Sequence, residues 1–263
     1  MLRITSYIVV FIVAVLVAVY ATDTVVSGIS TSLAAGVLFA LLENIINNWK
    51  YMKYLWWSIR HYRNNVRLSI SYLLRMKDNG EYFLIKGHKI QNQYQPVGGV
   101  YKRLPSSKVF FDSIKAMDDD LFSIDESTRD DLRINIQGKY LLKFMKWFDS
   151  EHGREICPWR EFQEELLASD ILSAEQFPIV LFEKVRRHEN GVKWSKYSKS
   201  FELLVADVFE PVFQEKQKQV IHDLRESGSD QYIFACTDQI ERNGVTPQQQ
   251  ANANISETSA WVI

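Results

Sequence analysis

Pro158-Trp159-Arg160-Glu161-Phe162-Gln163-Glu164-Glu165-Leu166 is the stretch from which the chain is best read. As a helix it places Glu161, Glu164 and Glu165 at steps of three and four, within one turn of each other. Like charges at that spacing destabilise a helix unless something positive binds them. A hard divalent cation such as Mg²⁺ takes carboxylate oxygens and retains several waters, so the pattern suits it. The same helix turns Trp159, Phe162 and Leu166 the other way, toward a core, and Pro158 suits the first helical position. Acidic triplets on surface helices more often face solvent, and spacing alone favours that plainer reading.

Working outward, Tyr94 to Val100, with Gln95-Pro96-Val97-Gly98-Gly99-Val100, reads as a short strand or turn. Val66, Leu68, Ile70, Tyr72 and Leu74 alternate with period two, a strand. Asp78-Asn79-Gly80 is a hairpin turn, because Asn-Gly supplies positive φ, and Glu81 to Ile90 is the return strand. Leu141, Phe144, Met145 and Phe148 fall at helical spacing. Ile179 to Arg187 and Ser200 to Phe209 read as strands, with Asn190-Gly191 between them. Val212 to Arg225 reads as a helix, Tyr232 to Cys236 as a short strand, Thr237 to Arg242 as a helical turn, and Gln248 to Asn254 as a polar tail or linker. The acidic run Asp118-Asp119-Asp120, with Asp125, Glu126, Asp130 and Asp131, reads as a solvated face or loop. Strands alternating with helices around one sheet predict an α/β class, an α/β/α sandwich.

The amino-terminal part is different. Ile4 to Ala21 is free of charge and almost wholly apolar, about 27 Å as a helix, just enough to span a bilayer core. Thr24 to Leu42 is a second charge-free stretch, weaker because of Ser27, Ser30, Thr31 and Ser32. Asp23 is the only charge between them, and Lys50, Lys53, Arg60, Arg63 and Arg67 follow. Positive residues favour the cytoplasmic side, which predicts a membrane hairpin with both termini cytoplasmic. Trp49, Tyr51, Tyr54, Trp56 and Trp57 cluster where the second span would leave the lipid. A rival reading makes the first segment a signal peptide cleaved near Val19-Tyr20-Ala21. Gly28, Ser32, Gly36 and Ala40 give the second span a small-residue face, which packs either on the first span or between protomers. The expected organisation is a transmembrane hairpin over 1–48, a juxtamembrane linker over 49–64 and a cytosolic domain over 65–263.

A formal charge of −1 gives no bulk attraction to nucleic acid. Cys157 and Cys236 are the only cysteines and lack a metal-ligand pattern, so two free thiols in a reducing compartment are expected.

Arg160-Glu161-Phe162-Gln163-Glu164-Glu165 resembles the second half of the Nudix box, in which a helix holds Mg²⁺ against a diphosphate. Leu167 stands where that family has Gly, and the first half does not match at family spacing, where Lys146 and His152 occur. Pro96-Val97-Gly98-Gly99 resembles the turn that opens the Nudix loop, which implies a long insertion from about Tyr101 to Gly153. Two apolar segments joined to a divergent Nudix domain resemble the transmembrane Nudix effectors associated with bacterial CD-NTases in CBASS antiphage defence. Gln95-Pro96-Val97-Gly98-Gly99-Val100-Tyr101-Lys102, Arg154-Glu155-Ile156 and the strand Phe201 to Glu210 also carry that resemblance. It implies a sensor: a cyclic oligonucleotide made by a CD-NTase binds the domain, and the spans form a homo-oligomer that breaches the bacterial inner membrane. Arg186, Arg187 and Lys193 are the candidates for phosphate contact, and Trp194 and Tyr197 for base stacking. The competing class is a membrane-anchored Mg²⁺-dependent hydrolase of a nucleoside diphosphate derivative, with Glu164 and Glu165 as metal ligands and Glu161 as general base or third ligand. A scaffold that binds another protein is the third possibility.

Overall fold

The computed structural model describes residues 2–87, 92–119, 121, 128–245 and 253–263. It forms two compact units, Met1–Trp57 and Ser58–Ile263.

In the first unit α1 (Leu2–Tyr20) and α2 (Thr24–Asn47) are joined by a short turn and pack on each other. Asp23 caps α2: its Oδ1 accepts from the backbone N–H of Val25 at 2.8 Å and Val26 at 3.2 Å. Small side chains make the contact, with Ala14, Ser30 and Ala34 buried. The hydroxyls are satisfied by backbone carbonyls: Ser27 donates across to Ala18 O of α1, and Thr31 to Ser27 O and Ser32 to Gly28 O within α2. Gly28 and Gly36 have open space where a side chain would stand, and Ser32 is exposed. The small-residue face therefore points away from α1, and the reading that packs it on the first span does not hold. Of the two spans expected, among the described residues α2 alone is long and apolar enough to cross a membrane; the described apolar part of α1, Ser6–Tyr20, is shorter than a span. The segment read as a linker is helical as α3 (Trp49–Arg60).

The second unit is mixed α/β. Its elements are β1 (Asn65–Leu74), β2 (Lys77–Asp78), β3 (Glu81–Lys86), β4 (Gln93–Gln95), β5 (Gly98–Val100), α4 (Lys108–Ile114), β6 (Met117–Asp118), β7 (Arg133–Gln137), α5 (Leu141–Asp149), α6 (Trp159–Phe162), β8 (Leu181–Glu189), β9 (Lys193–Ser195), β10 (Ser200–Val212), α7 (Glu215–Ser227), β11 (Tyr232–Ala235), α8 (Thr237–Glu241) and β12 (Asn254–Ile255). One sheet runs β6-β7-β1-β10-β8, with β5 also on β1 and β9 also on β10. The other runs β11-β3-β4-β12, with β2 on β3. β1 and β10 are parallel, with Val66 opposite Phe201 and Leu74 opposite Phe209, and the remaining pairs in the first sheet are antiparallel.

The sequence pattern explains this layout. β1 is central, so its second face is buried as well, and Arg67, read above as a membrane-side charge, lies inside. Its guanidinium is held by Asp119 at 2.7 Å and Glu202 at 2.6 Å. Asp119 is accordingly buried and not part of a solvated run: a charge brought into the sheet needs a partner. Asn79 (φ 47°) and Gly80 (φ 83°) close the β2–β3 hairpin with the positive φ values the turn demands. Between β4 and β5 the chain passes from one sheet to the other at Pro96-Val97, where proline's missing donor is harmless. The expected insertion supplies β7 beside β1, and α5 buries Leu141, Phe144, Met145 and Phe148. Leu73, Leu84, Val208, Ile240, Ile255 and Val262 belong to one apolar core. The chain end thus returns to the fold: β12 pairs with β4, and a 3₁₀ turn over Glu257–Trp261 follows. Ile90 of the return strand, Asp120, Asp125 and Glu126 of the acidic run, and 248–252 of the tail lie outside the described residues. Cys157 and Cys236 are free thiols.

Candidate functional site

The acidic segment is helical, with two departures from expectation. Pro158 is the residue before the helix and not its first member, and the α-helix lasts only through Phe162. From Gln163 to Leu167 the backbone widens into a π-helical turn, closed by Ala168 N–H donating to Gln163 O at 2.8 Å. Phe162 and Leu166 are fully buried and Trp159 stacks on Phe162, so the apolar side anchors the turn. The glutamates are thereby left on the opposite side.

They meet the Pro-Gly-Gly turn there, although some sixty residues separate the two in the chain. Gly98 N–H donates to Glu165 Oε2 at 2.8 Å. At Gly98 (φ 152°) a side chain would overlap Tyr72 O, and at Gly99 it would overlap the Glu161 carboxylate. Both glycines are therefore required for the close approach of β5 to β1 and to the acidic turn. Together they line a cavity of about 510 Å³. Its wall includes Glu161, Glu164 and Glu165 from the turn, Asp131 and Arg133 near the start of β7, and Thr258 and Trp261 from the last turn.

Arg160 sits among the carboxylates and its donors are all used. Nε donates to Glu155 Oε1 at 3.1 Å, and Nη1 to Glu161 Oε1 at 2.6 Å and Glu164 Oε2 at 3.1 Å. Nη2 reaches Val100 O at 3.0 Å, Glu155 Oε2 at 3.2 Å and Tyr72 Oη at 3.3 Å. Burial opposes its charge, but Glu155 and Glu161 more than offset it and hold its pKa above the ordinary value. Burial pushes the Glu161 carboxyl up, against the pull of Arg160. Glu165 is pushed further, to about 8, by burial and secondarily by the charges of Glu161 and Glu164, despite the Gly98 N–H. It is enclosed by protein, although part of the residue is reached from the cavity.

A family model described as SMODS-associated NUDIX domain matches residues 65–263. The chain belongs to the SMODS-associated NUDIX domain family. Membership fits an effector of CBASS. No curated protein and no solved structure matches the chain.

In this NUDIX domain the acidic turn is altered at Leu167, and among the described residues no group of three or more His, Cys, Asp or Glu side chains is arranged to hold a metal ion. The donors nevertheless fit Mg²⁺ in kind. Glu161, Glu164 and Glu165 are hard oxygen ligands opening on one cavity, and burial raises two of them, Glu161 and Glu165, above the ordinary carboxylate value. They would hold the ion once Arg160 released Glu161 and Glu164.

The five residues proposed for nucleotide contact are not among those lining the cavity. Arg187 is committed to Asp207 at 2.6 Å and Asp149 at 2.7 Å, within a buried group that also holds Lys184 and Tyr101 on Asp207. Arg186 donates to the backbone carbonyls of Trp261 and Ile263, and Trp261 stacks on His188 of the same strand at 4.5 Å. Lys193, Trp194 and Tyr197 lie on β9 and the turn after it, exposed. Sequence reading missed Tyr72, Glu155, Asp131 and Trp261. Glu155 carried a signal, since it precedes Arg160 by five residues in a stretch already marked by the resemblance; Trp261 carried none.

Proposed function

We propose that this chain is a CBASS effector in which the acidic cavity binds a cyclic oligonucleotide made by a CD-NTase, without turning it over. In this reading α1 and α2 both lie in the bacterial inner membrane, both termini are cytoplasmic, and ligand binding drives homo-oligomerisation that breaches the membrane. The observation that carries it is the state of the acidic turn. Its carboxylates are engaged structurally, Glu161 and Glu164 by Arg160 and Glu165 by Gly98 N–H, beside a cavity large enough for nucleotide groups. Glu164 is the most exposed of Arg160's three carboxylate partners, at 58%. A ligand phosphate would take its place on the guanidinium and gain a charge-assisted hydrogen bond. Trp261, which also lines the cavity, suits base stacking. The outward small-residue face of α2 supports assembly, because such faces admit a neighbouring membrane helix closely. Binding promotes assembly only if the assembled state holds the ligand more tightly.

The second reading is the membrane-anchored Mg²⁺-dependent hydrolase of a nucleoside diphosphate derivative. It is favoured by one observation: burial pushes Glu165 to about 8, suited to exchanging a proton near neutrality, in a cavity wall that also holds Glu161 and Glu164. Bound Mg²⁺ would supply Lewis-acid stabilisation of phosphoryl charge. The chain's own part is to present Glu161, Glu164 and Glu165 and to exclude bulk water. Calorimetry and product analysis on the full chain in detergent, against cyclic oligonucleotides and nucleoside diphosphate derivatives with and without Mg²⁺, separates the two. Binding with the ligand recovered intact supports the sensor. Turnover that Glu164→Gln and Glu165→Gln abolish supports the hydrolase.

A further inference from the structure

Lys193-Trp194-Ser195-Lys196-Tyr197-Ser198-Lys199 interleaves three lysines with two aromatic residues, and all five of those side chains are exposed, Trp194 at 60% and Tyr197 at 71%. None of the three lysines has an ion-pair partner among the described residues. Several arginines of this unit are committed: Arg67, Arg75, Arg103, Arg160 and Arg187 all hold carboxylates. The hairpin thus concentrates three unpaired positive charges within seven residues, in a chain whose formal charge is −1.

The position of this hairpin is fixed by the sheet. Trp194 pairs with Phe201, and Phe201 lies opposite Val66 at the start of β1. The rings of Trp194 and Phe201 meet edge to face at 5.4 Å, and Phe201 meets the His61 ring at 4.6 Å. The hairpin therefore stands at the end of the sheet by which the chain enters this unit from α3. The same end carries exposed Arg60 and Arg63 and, between them, Tyr62 at 58% exposure. Acidic side chains near this level, Glu202 and Asp119, are spent on Arg67. Asn47 ends the apolar helix α2, and the chain from there to Arg60 reaches roughly 45 Å at full extension. This end of the domain is thus tethered close to any membrane that holds α2.

We propose that the β9 hairpin and the Arg60–Arg63 segment form a docking surface for anionic phospholipid headgroups. Lysines whose apolar stems flank exposed Trp and Tyr suit the headgroup layer, where the amines meet phosphate and the rings sit at the interface. The proposal rests on the reading that α2 is in a membrane, and it reassigns Lys193, Trp194 and Tyr197 from nucleotide to lipid. Docking would fix how the NUDIX domain stands on the bilayer, which an assembling effector requires.

The test uses the full chain with Cys157→Ser, Cys236→Ser and Tyr197→Cys, carrying an environment-sensitive fluorophore at 197. It is reconstituted into vesicles of phosphatidylcholine alone or of phosphatidylcholine with phosphatidylglycerol. A control label at Glu215→Cys sits past the far end of β10, roughly 40 Å from its start at 3.3 Å per residue. The proposal predicts a blue shift and quenching by headgroup-attached quenchers at 197, only with phosphatidylglycerol, weakened by salt and absent at 215. Each lysine near an anionic surface contributes roughly fivefold, so reversing Lys193, Lys196 and Lys199 to Glu should cut the docked-to-undocked ratio by about a hundredfold or more. Carbonate extraction of the same vesicles reads the anchor separately. Retention with an aqueous signal at 197 on both lipids overturns the docking surface and leaves the anchor standing. Loss on extraction overturns the anchor, and the label on anionic vesicles still decides the surface. A label at 197 that stays aqueous on lipid but shifts on adding a cyclic dinucleotide also overturns the proposal.

Discussion

Replacing Glu165 by glutamine removes a titratable carboxyl from a crowded acidic turn while keeping an oxygen to accept the Gly98 N–H. The folded carboxyl is pushed to about 8 from an unperturbed 4.5, chiefly by burial. Between those values the folded state holds a proton that the unfolded chain has released, so stability falls as pH rises, by up to 1.36 kcal/mol per pH unit. Summed over that window the loss is on the order of 5 kcal/mol at most, and partial access from the cavity lowers it to roughly 2–4 kcal/mol. Below pH 4.5 and above about 8 Glu165 adds no slope. Thermal unfolding of the full chain in detergent at pH 6, 7.5 and 9 reads this directly. Only the stretch from pH 6 to about 8 is crossed, about 2.7 kcal/mol at most and roughly 1–2 kcal/mol after the same discount, so the wild type should lose roughly 2–8 °C in Tm between pH 6 and pH 9 beyond what Glu165→Gln loses, at about 2–4 °C per kcal/mol for a domain of this size. The two proteins should differ less at pH 6 than at pH 9 and converge only toward pH 4.5. Mg²⁺ added at pH 9 should recover the wild type alone, because only the carboxylate form is a full ligand. Equal pH slopes in the two proteins would refute the claim that Glu165 is held protonated by its surroundings.

Gly99→Ala should displace Glu161, costing roughly 1–3 kcal/mol and weakening nucleotide binding, measured by denaturation and calorimetry on the same sample. Arg187→Ala leaves fully buried Asp207 with only Lys184 and the Tyr101 hydroxyl and should cost roughly 3 kcal/mol, with nucleotide affinity in the folded protein unchanged, since Arg187 does not line the cavity. Single cysteines at Gly28, Ser32 and Gly36 should crosslink between molecules in membranes once the signal is added; crosslinks that form only within one molecule would contradict assembly through that face.

What the sequence revealed follows from what local physics decides. Asn79-Gly80 announces a hairpin because only such residues take its positive φ, and the structure has it. α5 was legible because Leu141, Phe144, Met145 and Phe148 repeat at helical spacing and all four are buried. The meeting of Gly98-Gly99 with Glu161 and Glu165 was visible only as a family resemblance between distant segments. The register that joins them passes through β1 and β5 and leaves no local trace. For the same reason Arg67 and Asp119 read as surface charges: their partners lie across strands, and a charge pattern says nothing about which cation meets which carboxylate. Arg187 was a fair phosphate candidate as an isolated arginine, yet β8 sets it over Asp207. Trp261 reached the cavity through a chain end that had no periodicity to read.

Proteoliposomes containing the full chain, loaded with a self-quenching dye and given candidate cyclic oligonucleotides from outside and inside, test the central claim most directly. The account predicts dye release that begins only with a bound nucleotide, with the nucleotide recovered intact, and that fails in Gly99→Ala. Nucleotide bound at saturation with the vesicles remaining sealed would contradict it.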